Sequence, residues 1–232
     1  MKTWLLGLLI GLSCHSVASA QVFQIRDASK LYNVKMQVNC DQQSCSGKGT
    51  VSLYKKSDQS LLQKFVSDDL DFDLSDDLKP SANIIELYGE QSPLIFDDFN
   101  FDGTEDIAIR NGNEGPYGGP TYDVYVYNKT RKHFVFSSDL SALTHENLGM
   151  FHVDHDNKRI HTLSKSGCCY HIAEEYQVIP KKGLVKVKEF IEDATLEYPD
   201  GEKRVTVTER HLIKGKWVEN VKRYPLEDYY QD

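Results

Sequence analysis

The residues best suited to chemistry stand together at 98–106, Asp-Phe-Asn-Phe-Asp-Gly-Thr-Glu-Asp. Asp98, Asn100, Asp102 and Asp106 put oxygen-bearing side chains at loop positions 1, 3, 5 and 9, Gly103 stands at position 6, and Thr104 offers its carbonyl at position 7. Calcium takes about six to eight oxygen ligands, and alternating Asp and Asn on a tightly curled loop aim their oxygens at one centre. An EF-hand would close with Glu at position 12; here that position is Ile109, and the loop runs into Ile107-Ala108-Ile109, which reads as a strand. The alternative for such a segment is an acidic turn held by Asx hydrogen bonds without metal. We take the loop as a structural Ca2+ site with no open catalytic position.

A second segment follows at once. Residues 111–120 hold four glycines and two prolines, a composition that opposes regular structure because glycine permits positive φ while proline fixes it. Strands on both sides give this loop a rigid base. Tyr117 and Tyr122, with Gly118, Gly119 and Pro120 between them, offer amphipathic contact surface on a backbone that a partner can approach closely. Loops of this length are usually functional or disordered, and the reading here is a binding loop.

Other groupings point to less. Cys40, Cys45, Cys168 and Cys169 follow the first twenty residues, and an even count in an exported chain reads as disulfides. Three pairings are open: two short ones, Cys40–Cys45 with the uncommon vicinal Cys168–Cys169, or either of two that cross-link the distant segments. None of the spacings is CxxC, so a zinc site is not read from them. His152, Asp154, His155, His161 and His171 read as histidines and an acid on hairpins rather than as a metal cluster. The sequence has no GxSxG, HExxH, Walker or Rossmann fingerprint. Acidic residues are abundant enough for a glycosidase pair, but nothing singles one out. The chain is read as a non-enzyme.

Residues 1–20 have the order of a secretory signal: Lys2, the apolar run Trp4-Leu-Leu-Gly-Leu-Leu-Ile-Gly-Leu12, then Ala18-Ser19-Ala20. The mature chain is expected to begin at Gln21 in the periplasm. The residues before Cys14 fit a lipoprotein signal poorly, and no later stretch is long and apolar enough for stable membrane insertion. The net charge of −8 argues against nucleic acid and is compatible with a basic protein partner.

The elements that position these loops read as β-structure. Residues 30–38 alternate with Tyr32, Val34, Met36 and Val38 on one face, the period of a half-buried strand. Turn signals at 55–60, 128–132, 154–158, 180–183 and 214–215 each separate two strand-like runs. The acidic stretch 68–77 reads as a solvated loop, and 138–148 as one short helix. The expectation is an all-β, single antiparallel meander of sandwich or propeller-like form, with one calcium loop and few short helices. It spans 21–232 as one domain, with an N-terminal subdomain over 21–85 as the alternative.

The calcium pattern, the strand, the Gly-rich loop ending Gly118-Gly119-Pro120-Thr121-Tyr122, and then Asp123-Val-Tyr-Val-Tyr127 resemble, over about residues 90–180, the calcium-containing relatives of the periplasmic i-type lysozyme inhibitors. That group includes immunity proteins against lysozyme-like effectors delivered by type IV secretion. The resemblance implies an inhibitor that occludes the cleft of a lysozyme-like protein, effector or host enzyme, with the family's Ser-Gly-x-x-Tyr motif entering the cleft. By position the motif falls on residues 118–122, with Gly118 in place of Ser. A literal match, Ser166-Gly167-Cys168-Cys169-Tyr170, occurs later and is the second candidate loop. The competing expectation is a calcium-stabilised adhesion or glycan-binding module of the integrin-repeat type. That would carry several such loops, and one is present.

Overall fold

The computed structural model describes residues 20–179 and 182–230, so the leader read at 1–20 lies outside the described residues except for Ala20. Three antiparallel sheets follow one another along the chain. The first holds β1 (Ala20–Ile25), β2 (Tyr32–Asp41), β3 (Ser44–Lys55) and β4 (Leu61–Ser67) in order, with the short β5 (Phe72–Asp73) paired to the start of β3. The second is the meander of β6 (Leu94–Asp97), β7 (Asp106–Arg110), β8 (Tyr122–Asn128) and β9 (His133–Phe136). After helix α1 (Ser138–Glu146) comes the third: β10 (His152–Asp154), β11 (Arg159–Ser166), β12 (Tyr170–Ile179), β13 (Gly183–Asp193), β14 (Arg204–Ile213) and β15 (Lys216–Pro225), followed by the single turn α2 (Leu226–Tyr229). Every strand pair is antiparallel, as the hairpin signals predict.

The second sheet lies at the centre, covered on both faces, and β8 shows why. Tyr122 and Val124 belong to one core, with Val126 packed against it; Tyr125 and Tyr127, on the alternate positions, pack against the other. Side chains along a strand alternate between faces, so one strand feeds two cores. The first core joins Val34, Met36, Val51 and Leu53 of the first sheet to Leu94, Ile107, Ile109 and Phe134 of the second. It therefore runs across the 21–85 boundary. The second core joins Ile95, Phe99, Ala108, Tyr122 and Val124 to Leu140 and Leu143 of α1 and to Ile160 and Tyr176 of the third sheet.

Helix α1 is fixed by polar contacts as well as by its leucines. Tyr122 N–H donates to the Thr144 hydroxyl at 2.9 Å, and Val124 N–H donates to the Ser141 hydroxyl at 2.9 Å. These buried backbone donors would otherwise lack partners, and leaving one unpaired costs about 1–3 kcal/mol. The chain leaves α1 through Gly149, at φ +83°, where a Cβ would lie 2.3 Å from the Gln91 side-chain oxygen. That amide accepts from Met150 N–H at 2.8 Å and donates to the Leu148 carbonyl at 3.2 Å, so the close approach needs glycine.

The acidic stretch at 68–77 is not the solvated loop expected. Leu70, Phe72 and Leu74 are buried in the first core, and Phe72–Asp73 pairs with β3. The stretch itself alternates, with Asp69, Asp71 and Asp73 between the apolar residues, so Leu70, Phe72 and Leu74 share the face that packs on the core while the acids take the other. The cysteines pair as Cys40–Cys45 and Cys168–Cys169, with Cα–Cα distances of 4.0 Å and 3.7 Å. The pairings that would cross-link distant segments are thereby excluded. Cys40 and Cys45 face each other across β2 and β3, so strand register brings them together.

Candidate functional site

The loop at 111–121 joins β7 to β8 and is strapped at its base. The Asn111 side-chain oxygen accepts from the backbone N–H groups of Asp68 and Asp69 at 2.9 and 3.2 Å, and its amide nitrogen donates to Asp123 at 3.1 Å. Gly112 N–H donates to the Asp69 carbonyl at 2.7 Å. Above this base the chain turns through the 3-10 segment Pro116–Gly118, with Tyr117 at φ +59° and Gly118 at φ +71°. A non-glycine residue at positive φ is uncommon, and here it throws the Tyr117 ring outward.

That ring does not stand alone. The Tyr117 hydroxyl accepts a 2.5 Å hydrogen bond from Gly167 N–H, in the turn Gly167–Cys169 that follows Ser166, the last residue of β11, and leads into β12. The two Gly-Tyr candidates, fifty residues apart in sequence, meet at one surface. The Lys165 ammonium lies 4.4 Å from the centre of the Tyr88 ring and 5.1 Å from that of Tyr117, within cation–π range. Tyr88, Tyr117, Ser166, Gly167 and Cys168 are exposed; Tyr170, on β12, is half-buried. Beside this surface is a cavity of about 190 Å³ whose walls include Ile85, Leu87, Leu148, Met150 and Leu163. Tyr88 and Lys165 carry no motif in the sequence. Tyr88 sits in a turn at φ +61° and Lys165 in a strand, and only the fold brings them to Tyr117.

Tyr122, expected among the contact residues of the exposed loop, is instead fully buried at the start of β8, and its hydroxyl donates to the Ser92 carbonyl at 2.9 Å. A strand that passes between two cores buries whichever aromatic falls on the inward register. Gly118 is exposed, while Gly119 and Pro120 are half-buried as the chain turns back into β8.

The 98–106 loop joins β6 to β7, at the opposite end of β7 from the Gly-Tyr loop. At about 3.3 Å per strand residue the two lie roughly 15 Å apart. It is curled as the sequence pattern implies. Asp98 accepts from Asp102 N–H at 3.0 Å and from Gly103 N–H at 2.7 Å; Asn100 accepts from Asp102 N–H at 3.0 Å; Asp102 accepts from Thr104 N–H at 2.9 Å. Gly103, at φ +83°, makes the turn. Asp106 is fully buried, its two oxygens accepting from Phe99 N–H at 3.0 Å and Tyr127 N–H at 2.8 Å.

Burial pushes the Asp106 carboxyl up to about 7 against the pull of the Tyr127 and Phe99 N–H groups, and the charges of Asp98 and Asp102 add to the rise. A buried carboxylate crowded by two others is the electrostatic setting that a divalent cation relieves. The Lys129 ammonium, 2.6 Å from the Asp102 carbonyl and 3.6 Å from its carboxylate, supplies positive charge at the rim. Among the described residues no three Asp, Glu, His or Cys side chains converge on one point. The ligands expected from the sequence, Asp98, Asn100, Asp102 and Asp106 with the Thr104 carbonyl, have the oxygen chemistry that a hard cation takes; in this structure the four side chains accept from backbone N–H groups. Among the histidines, His152 and His161 are cross-strand neighbours and His161 faces Asp154 at 3.8 Å, while His155 contacts Asp97 at 2.7 Å and His171 faces Glu192 at 3.9 Å.

The chain shares its fold with a Xanthomonas type IV secretion system related protein. The TM-score is 0.58 at 21% sequence identity, covering 87% of this chain and 97% of the other. At that identity the likeness concerns the fold. It runs over most of this chain and nearly all of the other. No family model and no curated protein sequence matches the chain. Among the described residues no helix is long and apolar enough to cross a membrane.

Proposed function

We propose that this chain is an exported inhibitor, or immunity protein, that occludes the active site of a lysozyme-like peptidoglycan hydrolase. The observation that carries the reading is the contact between Tyr117 and Gly167, which joins the two loops resembling the lysozyme-inhibitor motif into one surface. The fold shared with a type IV secretion system related protein is in keeping with it.

The chemistry of the surface supports occlusion. A glycan-cleaving hydrolase works with a pair of carboxylic groups flanking its substrate. Lys165, half-buried, holds its ammonium against two tyrosine rings at this surface, a positive point on a chain of negative net charge that could pair with such a carboxylate. Tyr117 and Tyr88 supply rigid apolar area beside it, and aromatic anchors tend to dominate interface energy. The strapped base holds the tip in place before binding, which lowers the ordering cost.

In this reading Ca2+ is structural. Asp98, Asn100, Asp102, Asp106 and the Thr104 carbonyl would hold it, and it would neutralise the buried Asp106 at the far end of β7 from the contact surface. The experiment is inhibition of peptidoglycan lysis by the purified protein against hydrolases of the different lysozyme classes and against any lysozyme-like effector encoded beside it. Tyr117→Ala and Lys165→Glu are the matched variants. Lysis unaffected by the wild type in every case would end the proposal.

A further inference from the structure

The hairpin formed by β14 and β15 has no part in the surface just described, yet its composition is unlike that of the rest of the chain. Between residues 203 and 223 stand seven Lys or Arg against two Glu, in a protein whose net charge is −8. Arg204 and Arg210 are paired with carboxylates, but Lys214, Lys216, Lys222 and Arg223 have no ion-pair partner among the described residues. All of β15 is exposed. The turn is a tight two-residue one, with Lys214 at φ +49° and Gly215 at φ +78°, the conformation that matches strand twist and makes a stiff hairpin end.

The end of this hairpin reads Ile213-Lys-Gly-Lys-Trp217-Val218, and Ile213, Trp217 and Val218 are each roughly half exposed. Ile213 pairs with Lys216 and His211 with Val218, so Ile213 and Val218 share one face; Leu212 pairs with Trp217 on the other. A partner lying flat against either face would cover only half of the apolar surface. Entry end-first into a medium that is apolar within and charged at its boundary covers both faces, with the lysines left at the boundary.

We infer that the Ile213–Val218 hairpin end docks this protein peripherally on an anionic lipid bilayer. Tryptophan favours the interfacial zone of a bilayer, where an amphipathic ring is apolar on one side and wet on the other. Lys and Arg held near an anionic leaflet are attracted by its surface potential, and that attraction fades with salt. The charge complementarity is local: the hairpin is basic, and the acidic balance of the rest of the chain keeps the other surfaces away from such a membrane. The docking is interfacial, with no segment crossing the bilayer.

The test uses protein expressed from the full chain and purified, mixed with phosphatidylcholine vesicles with and without phosphatidylglycerol. Co-sedimentation is expected with the anionic vesicles, to weaken with salt, and to be absent with neutral ones. The sequence holds two tryptophans, Trp4 and Trp217; the emission difference between wild type and Trp217→Phe isolates Trp217, and it should shift to the blue on binding. Lys214→Gln and Lys216→Gln should each lower vesicle affinity about fivefold, and Ile213→Ser with Trp217→Ser should abolish binding. All of these positions are exposed, so melting temperatures should match wild type. The proposal is overturned if the protein ignores anionic vesicles, as it would were an acidic protein the hairpin's partner, or if the variants bind as wild type does.

Discussion

The Tyr117 hydroxyl and the Gly167 backbone N–H are 2.5 Å apart. Tyr117 sits on a loop of the central sheet and Gly167 on a turn of the third, so this contact ties two layers together at their rim. Tyr117→Phe keeps the ring and removes only the acceptor. Tyr117→Ala removes an exposed anchor and should weaken binding of the hydrolase by about 2 kcal/mol or more, roughly thirtyfold in affinity. Titrating inhibition of lysis with each variant checks this. A Tyr117→Ala protein that melts like wild type and inhibits at the same concentration would remove this surface from consideration.

Tyr122 should behave in the opposite way. Its ring fills the second core and its hydroxyl satisfies the Ser92 carbonyl. Tyr122→Ala is expected to cost about 3–5 kcal/mol of stability, and Tyr122→Phe about 1–2 kcal/mol through the lost hydrogen bond. Urea denaturation measures both. The Phe variant should still inhibit once folded.

Asp106 makes stability depend on pH and metal together. Its folded-state pKa of about 7 stands above the ordinary 3.8. Between those values the native state binds the extra proton, so without metal the contribution of this group falls as pH rises through the window. Bound Ca2+ favours the ionised carboxylate, so the rise in melting temperature caused by calcium should be larger at pH 8 than at pH 5. Differential scanning calorimetry in chelator and in millimolar calcium gives the comparison. Asp98→Ala with Asp102→Ala should remove the calcium effect. Equal melts in chelator and calcium at pH 8 would exclude the ion.

The disulfides give a chemical check. Both bridges close short loops, so each constrains the unfolded chain only modestly. Cys168→Ser with Cys169→Ser should leave the melting temperature within a few degrees of wild type while loosening the turn that donates to Tyr117, and so reduce inhibition. Non-reducing peptide mapping should find Cys40 linked to Cys45 and no peptide bridging residues 40 and 168.

Export is tested by mass. Protein recovered from cells should begin at Gln21 and carry no free thiol. A mass that retains residues 1–20, or lipid on Cys14, would show that the leader is of another kind.

The sequence by itself determined the elements and the chemistry of individual loops. Period-2 alternation at Tyr32, Val34, Met36 and Val38 became the buried face of β2, because one side of that strand must leave water. The turn signals placed hairpins, and 98–106 curled as its Asp and Gly positions demand, because those hydrogen bonds are local. Tertiary structure decided what depends on residues far apart. Tyr122 lies at the end of a glycine-rich loop and looks like a contact residue, but two-sided burial of β8 put it in a core. Tyr88 and Lys165 carry no motif and acquire a role only beside Tyr117. Leu70, Phe72 and Leu74 look solvated among aspartates until β3 offers them a paired edge and a core to fill. Local conformation follows from neighbours in the chain, whereas burial and juxtaposition follow from which layers meet, and a single sequence encodes that only through the summed packing of both cores.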